Sequence, residues 1–406
     1  MQSVIAFDVS MGKSYVVIYN SEQHCVYEGE ILHNRPHFET LNERIITIIQ
    51  REGDVPAIVF EATGIYSKQL ERFMTDYGYP YCLLNPLDSK LQTATMRMNK
   101  TDKSDAHRLA QTHFKSERRL KNHQEKYFDQ MRALSRYYDE LDEQLKLYRS
   151  RIHALLQITF PEIETLFTQK SELFLNILQL FPHPEDVKYL SKTVVRNRLI
   201  TNTDKKLASK TAEKKAVQLI AAAQSSYPAV DKGDVRIEQL KYYAKECLAI
   251  LRKREELIQQ MVKLSTDRKE YKVLISFPGI GENTAVRLIG EIGDLMRFNN
   301  AKQLNAYAGI DIRRFQSGKL FYKDKINKRG NSHLRKILYF TIQNMIRQRR
   351  FGGNHLVDYY DKLKAQPYDK SHKVASIACV NKLLKCLFHL IKHDLLYSYE
   401  LASTQS

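Results

Sequence analysis

Val4-Ile5-Ala6-Phe7-Asp8-Val9 is a short apolar run carrying a single acid near its C-terminal end, and it reads as a buried β-strand. Two more strands follow at 14–20 and 25–31, with Asn20-Ser21-Glu22 as turn material between them. Strands joined this closely predict an antiparallel meander. A helix is expected over about 37–52, where Phe38, Leu41, Ile45 and Ile48-Ile49 recur at helical spacing. Pro56-Ala57-Ile58-Val59-Phe60-Glu61 is a second buried-strand pattern, and it too ends in an acid. Gly64 precedes a helix at about 66–77 with Leu70, Phe73 and Met74 inward, and Tyr79-Pro80-Tyr81-Cys82-Leu83-Leu84 reads as another strand. Three strands, helix, strand, helix, strand, helix is the order of an α/β mixed sheet with helices packed on it.

Asp8 and Glu61 therefore fall at the C-terminal ends of two sheet strands, the edge where open α/β sheets place their sites. Downstream lies Asn99-Lys100-Thr101-Asp102-Lys103-Ser104-Asp105-Ala106. Asp102 and Asp105, three apart, share one face of a helical turn. Two close carboxylates repel, which Lys100 and Lys103 relieve in part and a hard divalent cation relieves further. Each acid has an ordinary reading as well: Asp102 and Asp105 suit a helix N-terminus, and Asp8 suits a turn amide. Together, Asp8, Glu61, Asp102 and Asp105 make a two-metal cage for Mg²⁺ (or Mn²⁺), in which ions about 4 Å apart clamp the attacking and leaving oxygens of a phosphodiester.

The 406 residues carry 64 Lys+Arg against 46 Asp+Glu, a net charge of +18, which predicts a polyanionic partner. Nucleic acid is favoured over membrane, because no apolar run is read as long enough to span a bilayer. No secretory leader is read before the first strand. Five scattered cysteines, Cys25, Cys82, Cys247, Cys379 and Cys386, argue for free thiols in a reducing compartment. Cys386, His389 and His393 share a helical face, which suits zinc or, more simply, a buried apolar surface.

We divide the chain at 1–114, 115–270 and 271–406. In the middle segment Met131, Leu134, Tyr138, Leu141, Leu145, Tyr148, Ile152 and Leu155 form a heptad seam. A second seam runs Ile237, Leu240, Ala244, Cys247, Leu251, Arg254, Ile258, Met261, broken by Arg254. The two pair antiparallel in one chain or across a subunit interface. Between them lies a helical module centred on Leu173, Leu175, Ile177, Leu178 and Leu180, with a basic stretch at Lys205, Lys206, Lys210, Lys214 and Lys215.

Ile275-Ser276-Phe277-Pro278-Gly279-Ile280-Gly281 opens the last segment and resembles a helix-hairpin-helix turn, or is a plain Pro-Gly turn before a helix. From Arg313 to Arg350 roughly a dozen basic side chains accompany one acid, Asp324, with Phe315, Phe321 and Tyr322 interleaved. That pattern suits sugar–phosphate and base contact, through Arg313, Arg314, Lys319, Lys323, Lys325, Lys328, Arg329 and Arg335. Ser317-Gly318 inside it reads either as turn chemistry or as a hydroxyl set among cations that would stabilise charge developing on a phosphodiester.

Phe7-Asp8-Val9-Ser10, Phe60-Glu61-Ala62-Thr63-Gly64 and Lys100-Thr101-Asp102-Lys103-Ser104-Asp105-Ala106 resemble the DEDD motifs of insertion-sequence transposases of the IS one-ten family, which include site-specific DNA invertases. Tyr307-Ala308-Gly309-Ile310, Ser317-Gly318, Lys328-Arg329-Gly330-Asn331 and Leu334-Arg335 are similar to the same family's C-terminal domain. Ile312 stands where that family often has proline, Gln316 where a second serine is frequent, and Lys319 where glycine is frequent.

The resemblance implies a RuvC-like, ribonuclease-H-type domain, a coiled-coil and helical middle, and a mainly helical transposase domain. It implies a composite site in which the tetrad of one subunit, with Mg²⁺, faces Ser317 of another. Ser317 would become covalently joined to DNA. It also implies a structured guide RNA supplying sequence choice, a homo-oligomer, and a place in the bacterial cytoplasm at the nucleoid. The residues also leave open a metal-only nuclease or junction resolvase, an invertase acting on one locus, and a non-catalytic nucleic-acid-binding scaffold. Target site, guide sequence and oligomer number are not written in the chain.

Overall fold

The computed structural model describes residues 2–86, 101–115, 118, 120, 124–202, 207–313, 316–317, 320–321 and 325–403, with backbone alone for 316, 317, 320, 321, 402 and 403. By contacts the chain divides into two compact units, Met1–His123 and Gln124–Ser406.

The first unit is built on a five-stranded sheet of β1 (Val4–Ser10), β2 (Lys13–Tyr19), β3 (Cys25–Leu32), β4 (Ala57–Glu61) and β5 (Tyr81–Leu84), in the order β3-β2-β1-β4-β5. β1, β2 and β3 form the antiparallel meander, whereas β1–β4 and β4–β5 are parallel. β1 is apolar from Val4 to Phe7 because both of its faces are covered there. Ile5, Phe7 and Val9 share a core with Leu41, Ile45 and Ile48 of α1 (Arg35–Glu52) and with Leu70, Phe73 and Met74 of α2 (Lys68–Asp76). Val4 and Ala6 face the other way and meet Ala106, Leu109 and Ala110 of α3 (Asp102–Lys115). α1 is delimited by its ends: the Asn34 side chain accepts from the His37 amide, and Gly53 closes the helix in the left-handed conformation (φ 75°).

The second unit is organised on two long helices, α4 (Lys126–Thr159) and α9 (Val235–Ser265). They pair antiparallel within the chain: the Tyr127 hydroxyl meets that of Ser265 at 2.9 Å, and the rings of Tyr148 and Tyr243 stack 5.3 Å apart. Met131, Tyr138, Leu141, Leu145 and Ile152 of one seam and Ile237, Leu240, Ala244, Cys247, Ile258 and Met261 of the other are buried. Arg254 is a polar pin between the helices. It donates to the Tyr138 hydroxyl, lies over that ring at 4.5 Å, and pairs with Asp142 at 3.3 Å.

Between the long helices run α5 (Glu162–Leu166), α6 (Glu172–Leu180), α7 (Lys192–Thr201) and α8 (Ser209–Ser225). Phe174, Leu175, Ile177 and Leu178 of α6 form a buried centre. After α9 come α10 (Lys269–Ile275), α11 (Glu282–Ile292), α12 (Ala301–Ala308), a short β-ribbon, α13 (Ser332–Arg347), α14 (His355–Lys364), α15 (His372–His393) and α16 (Tyr399–Ser403). Residues from both sides of position 270 enter one hydrophobic cluster, so a boundary there divides sequence character rather than cores.

The expectation that no segment is long and apolar enough to cross a membrane is corrected. α15 meets that test by length and composition, with mean hydropathy 1.6. Its Ala375, Cys379, Val380, Leu383, Leu384, Leu387 and Ile391 are instead buried in the core, which explains the apolar run. The zinc reading of the same helix also fails. Among the described residues Cys386, His389 and His393 form no ligand group, and the Cys386 thiol faces His355 Nε2 at 3.5 Å.

Candidate active site

Asp8 follows Phe7 on β1, and Glu61 follows Phe60 on β4. Phe7 and Phe60 are register partners in a parallel pair, so the two acids stand side by side at the strand ends. Side chains alternate along a strand. Asp8 therefore shares its face with Val4 and Ala6, and Glu61 with Ala57 and Val59. That is the face on which α3 packs.

α3 begins on a reciprocal cap: the Thr101 amide donates to Ser104 Oγ at 3.0 Å, and the Ser104 amide donates to Thr101 Oγ1 at 3.1 Å. Asp102 and Asp105 occupy its first turn, where the helix dipole favours negative charge. Folding thus places Asp8 and Glu61 on the sheet face that α3 covers with Ala106, Leu109 and Ala110, and Asp102 and Asp105 lie at the N-terminus of that helix. Asp105 pairs with Arg108 of its own helix at 3.3 Å. Glu30 holds the Lys13 ammonium above the ordinary lysine range through a hydrogen bond, with Asp102 a smaller contributor.

The donor set fits a hard cation, since all four groups are carboxylates. Among the described residues, however, no three of these four bring ligand atoms within 4.8 Å of one another.

The second cluster surrounds Ser317. Ile312–Arg313 (β6) pairs antiparallel with Lys325–Ile326 (β9), and Gln316–Ser317 (β7) with Leu320–Phe321 (β8). Ser317 is paired with Leu320 and Gln316 with Phe321. Arg313, Lys325, Lys328 and Arg329 are exposed along the ribbon and its base, whereas Arg314, Lys319 and Lys323 lie outside the described residues.

The base of the hairpin is clamped by the two glycine motifs. The Lys328 amide donates to the Gly309 carbonyl at 3.0 Å, and the Asn331 amide to the Tyr307 carbonyl at 2.7 Å. Gly309 takes the left-handed conformation (φ 68°). A Cβ on Gly330 would lie 2.3 Å from the Tyr307 carbonyl oxygen and 2.4 Å from the Gly309 nitrogen, so only glycine fits. Arg335 braces the same turn, donating to the carbonyls of Ala308 at 2.9 Å and Lys328 at 3.5 Å.

Behind the clamp lies a polar network that sequence reasoning missed. Arg136 of α4 makes a bidentate pair with Glu291 of α11 at 2.6 and 2.8 Å, and Glu291 is fully buried. Asn331 Nδ2 donates to the same carboxylate at 2.7 Å, while its Oδ1 caps α13 by accepting from the His333 and Leu334 amides. One helix turn along α4, the buried Asp139 accepts from Arg287 at 2.6 Å and meets His333 Nδ1 at 2.7 Å. These residues fix the start of α13, and with it one strand of the hairpin base.

Residues 271–358 match a family model described as the transposase IS116/IS110/IS902 family, and residues 5–161 match a transposase model of the DEDD class of IS110 elements. The chain is 28% identical over 147 residues to the transposase for insertion sequence element IS1111A of Coxiella burnetii, covering 35% of this chain and 38% of that protein. It is 32% identical over 123 residues to the pilin gene-inverting protein of Moraxella bovis, covering 30% of this chain and 37% of that one. These matches thus span well under half the length of either relative. A solved structure of T. thermophilus RuvC in complex with Holliday junction substrate aligns with 28% of this chain and 93% of its own at 11% identity, with a TM-score of 0.21, too low to carry an argument.

Proposed function

Because this chain belongs to the IS110 family of insertion-sequence transposases, we propose that it cuts and exchanges DNA strands, with Asp8, Glu61, Asp102, Asp105 and Ser317 sharing the chemistry. The observation that carries the proposal is the in-register placement of Asp8 beside Glu61 on the sheet face against which α3 packs. α3 adds Asp102 and Asp105 in its first turn, and the chain carries a net charge of +18, which supports a polyanionic substrate.

Mg²⁺ or Mn²⁺, held by these four acids, would supply Lewis-acid polarisation of a phosphodiester oxygen. The protein's own part is to hold the carboxylates on a rigid sheet and to present Ser317 on a clamped hairpin. In the serine step the Oγ–P bond forms as the bond from phosphorus to the departing sugar oxygen breaks. The serine proton passes to water, and the departing sugar oxygen takes up a proton. Arg313, Lys325, Lys328 and Arg329 neutralise the phosphates nearby.

A RuvC-like architecture for the first unit, a structured guide RNA, and a homo-oligomer placing tetrad and serine from different subunits complete the proposal. The same strand exchange serves transposition or inversion, and the DNA sites decide which. A protein of this kind works in the bacterial cytoplasm, at the nucleoid.

The test is single-turnover cutting of element-end DNA in Mg²⁺ by the wild type, Asp8→Asn and Glu61→Gln. Each variant is expected to lose at least about a hundredfold in rate, the scale of removing one preorganised electrostatic group, with its fold intact. Folded variants that cut at the wild-type rate would overturn the carboxylate assignment.

A further inference from the structure

Among the described residues, one group of side chains brings three metal-ligating atoms within 4.8 Å of one another, and it is not the carboxylate tetrad. It consists of Cys25 at the start of β3, Glu28 three residues further along, brought to the same face by the register shift that pairs Cys25 with Tyr19 and Glu28 with Val17, and His107 on α3. We propose that Cys25, Glu28 and His107 bind a borderline-soft divalent cation of the Zn²⁺ class, tying α3 to the edge strand β3.

The donor set is the first argument. Thiolate, imidazole and carboxylate together are ligands that Zn²⁺ accepts and Mg²⁺ does not seek. Around a tetrahedral zinc ion with bonds of about 2.0–2.3 Å, ligand atoms stand roughly 3.3–3.7 Å apart, so closing a 4.8 Å group needs only side-chain adjustment.

The second argument is the orientation of the histidine. His107 Nδ1 meets the Tyr19 hydroxyl at 2.8 Å, which leaves Nε2 directed at Glu28 Oε2, also at 2.8 Å. A partner on the far ring nitrogen is what fixes a ligating imidazole in most metal sites. Lys103 hydrogen-bonds to Glu28 Oε1, so the ion would take the place of the proton shared between Glu28 Oε2 and His107 Nε2. Of the free thiols, Cys25 is exposed whereas Cys82, Cys247 and Cys379 are buried.

The third argument is what the ion would connect. β3 is an edge strand, exposed along most of its length, and Glu28 already receives both Lys103 and His107 from α3. An ion bound there replaces a surface ion pair, which is weakly stabilising by nature, with coordinate bonds. On binding, the Cys25 S–H bond gives up its proton to solvent and the sulfur becomes a ligand. Because α3 also carries Asp102 and Asp105, the ion would hold the helix that supplies half of the proposed tetrad. That consequence rests on the proposed function, whereas the site itself does not.

The test uses the full chain, stripped with chelator under reducing conditions and kept in excess Mg²⁺ so that carboxylate sites are occupied. Co²⁺ is titrated as the spectroscopic probe, followed by Zn²⁺. Expected is a near-ultraviolet sulfur-to-cobalt charge-transfer band that saturates at a single equivalent and is bleached by Zn²⁺. It should vanish in Cys25→Ser, weaken by at least about tenfold in apparent affinity in His107→Gln and Glu28→Gln, and survive in Cys386→Ser. A band that persists in Cys25→Ser would overturn the proposal, as would the absence of any band in the folded wild type. The readout is independent of DNA cutting, so it fails or succeeds separately from the tetrad.

Discussion

Replacing Gly330 by alanine should loosen the base of the Ser317 hairpin. The added Cβ would sit 2.3 Å from the Tyr307 carbonyl oxygen, 2.4 Å from the Gly309 nitrogen and 2.7 Å from the Ala306 carbonyl oxygen. All three are backbone atoms, so relief requires one strand of the clamp to move. Overpacking of this kind costs about 1–3 kcal/mol. The movement also strains the Lys328–Gly309 and Asn331–Tyr307 hydrogen bonds, each contributing about 1 kcal/mol. The expected loss is therefore about 3–5 kcal/mol in the second unit.

Urea unfolding monitored by far-ultraviolet circular dichroism reads it, with tyrosine fluorescence as a second probe in a chain of 24 tyrosines and no tryptophan. Gly233→Ala is the control. Its Cβ would meet nothing within 4 Å, and it should be neutral or stabilising by at most about 1 kcal/mol. If Gly330→Ala unfolds at the same urea concentration as Gly233→Ala, the clamp reasoning is wrong.

Arg136→Ala should leave the fully buried Glu291 carboxylate without its cation, at a cost of about 3 kcal/mol; Arg136→Ala combined with Glu291→Gln should recover part of it, read from the same urea midpoints. Burial pushes the His355 imidazole down to about 4 from its ordinary 6.5, with Lys382 adding to the effect. The unfolded chain takes up this proton near pH 6.5 and the folded chain only near pH 4. Stability should therefore fall across that window on acidification, by on the order of 3 kcal/mol, and then level off; His355→Gln should flatten that limb of a midpoint-against-pH curve. Lys328→Ala and Arg329→Ala should each weaken DNA binding similarly across sequences and reduce the slope of log affinity against log salt by about one, measured by fluorescence anisotropy.

The strands that carry Asp8 and Glu61 were legible because a strand buried on both faces needs an unbroken apolar run, and an acid at its end is conspicuous. The heptad seams were equally legible, but a seam does not name its partner. Only the fold shows that the two meet inside one chain. Arg254 looked like a break in the second seam because its partners, Tyr138 and Asp142, lie more than a hundred residues away.

Glu291 and Asp139 left no trace in the sequence. A buried acid on a helix is made tolerable by long-range cations, and apolar periodicity does not mark it. α15 shows the opposite case: its apolar length is visible, but length alone does not distinguish a core helix from a spanning one. The metal ligands behave alike. Helical spacing drew attention to Cys386, His389 and His393, whereas Cys25, Glu28 and His107 converge from a strand and a distant helix.

The most direct test of shared serine and carboxylate chemistry is a denaturing gel. Labelled element DNA bearing its junction is incubated with its flanking RNA and Mg²⁺, with wild type or Ser317→Ala. A protein–DNA adduct formed by the wild type and absent from Ser317→Ala is the predicted result. Equal cleavage by both proteins without any adduct would contradict it, leaving Ser317 as a turn residue and the carboxylates working alone.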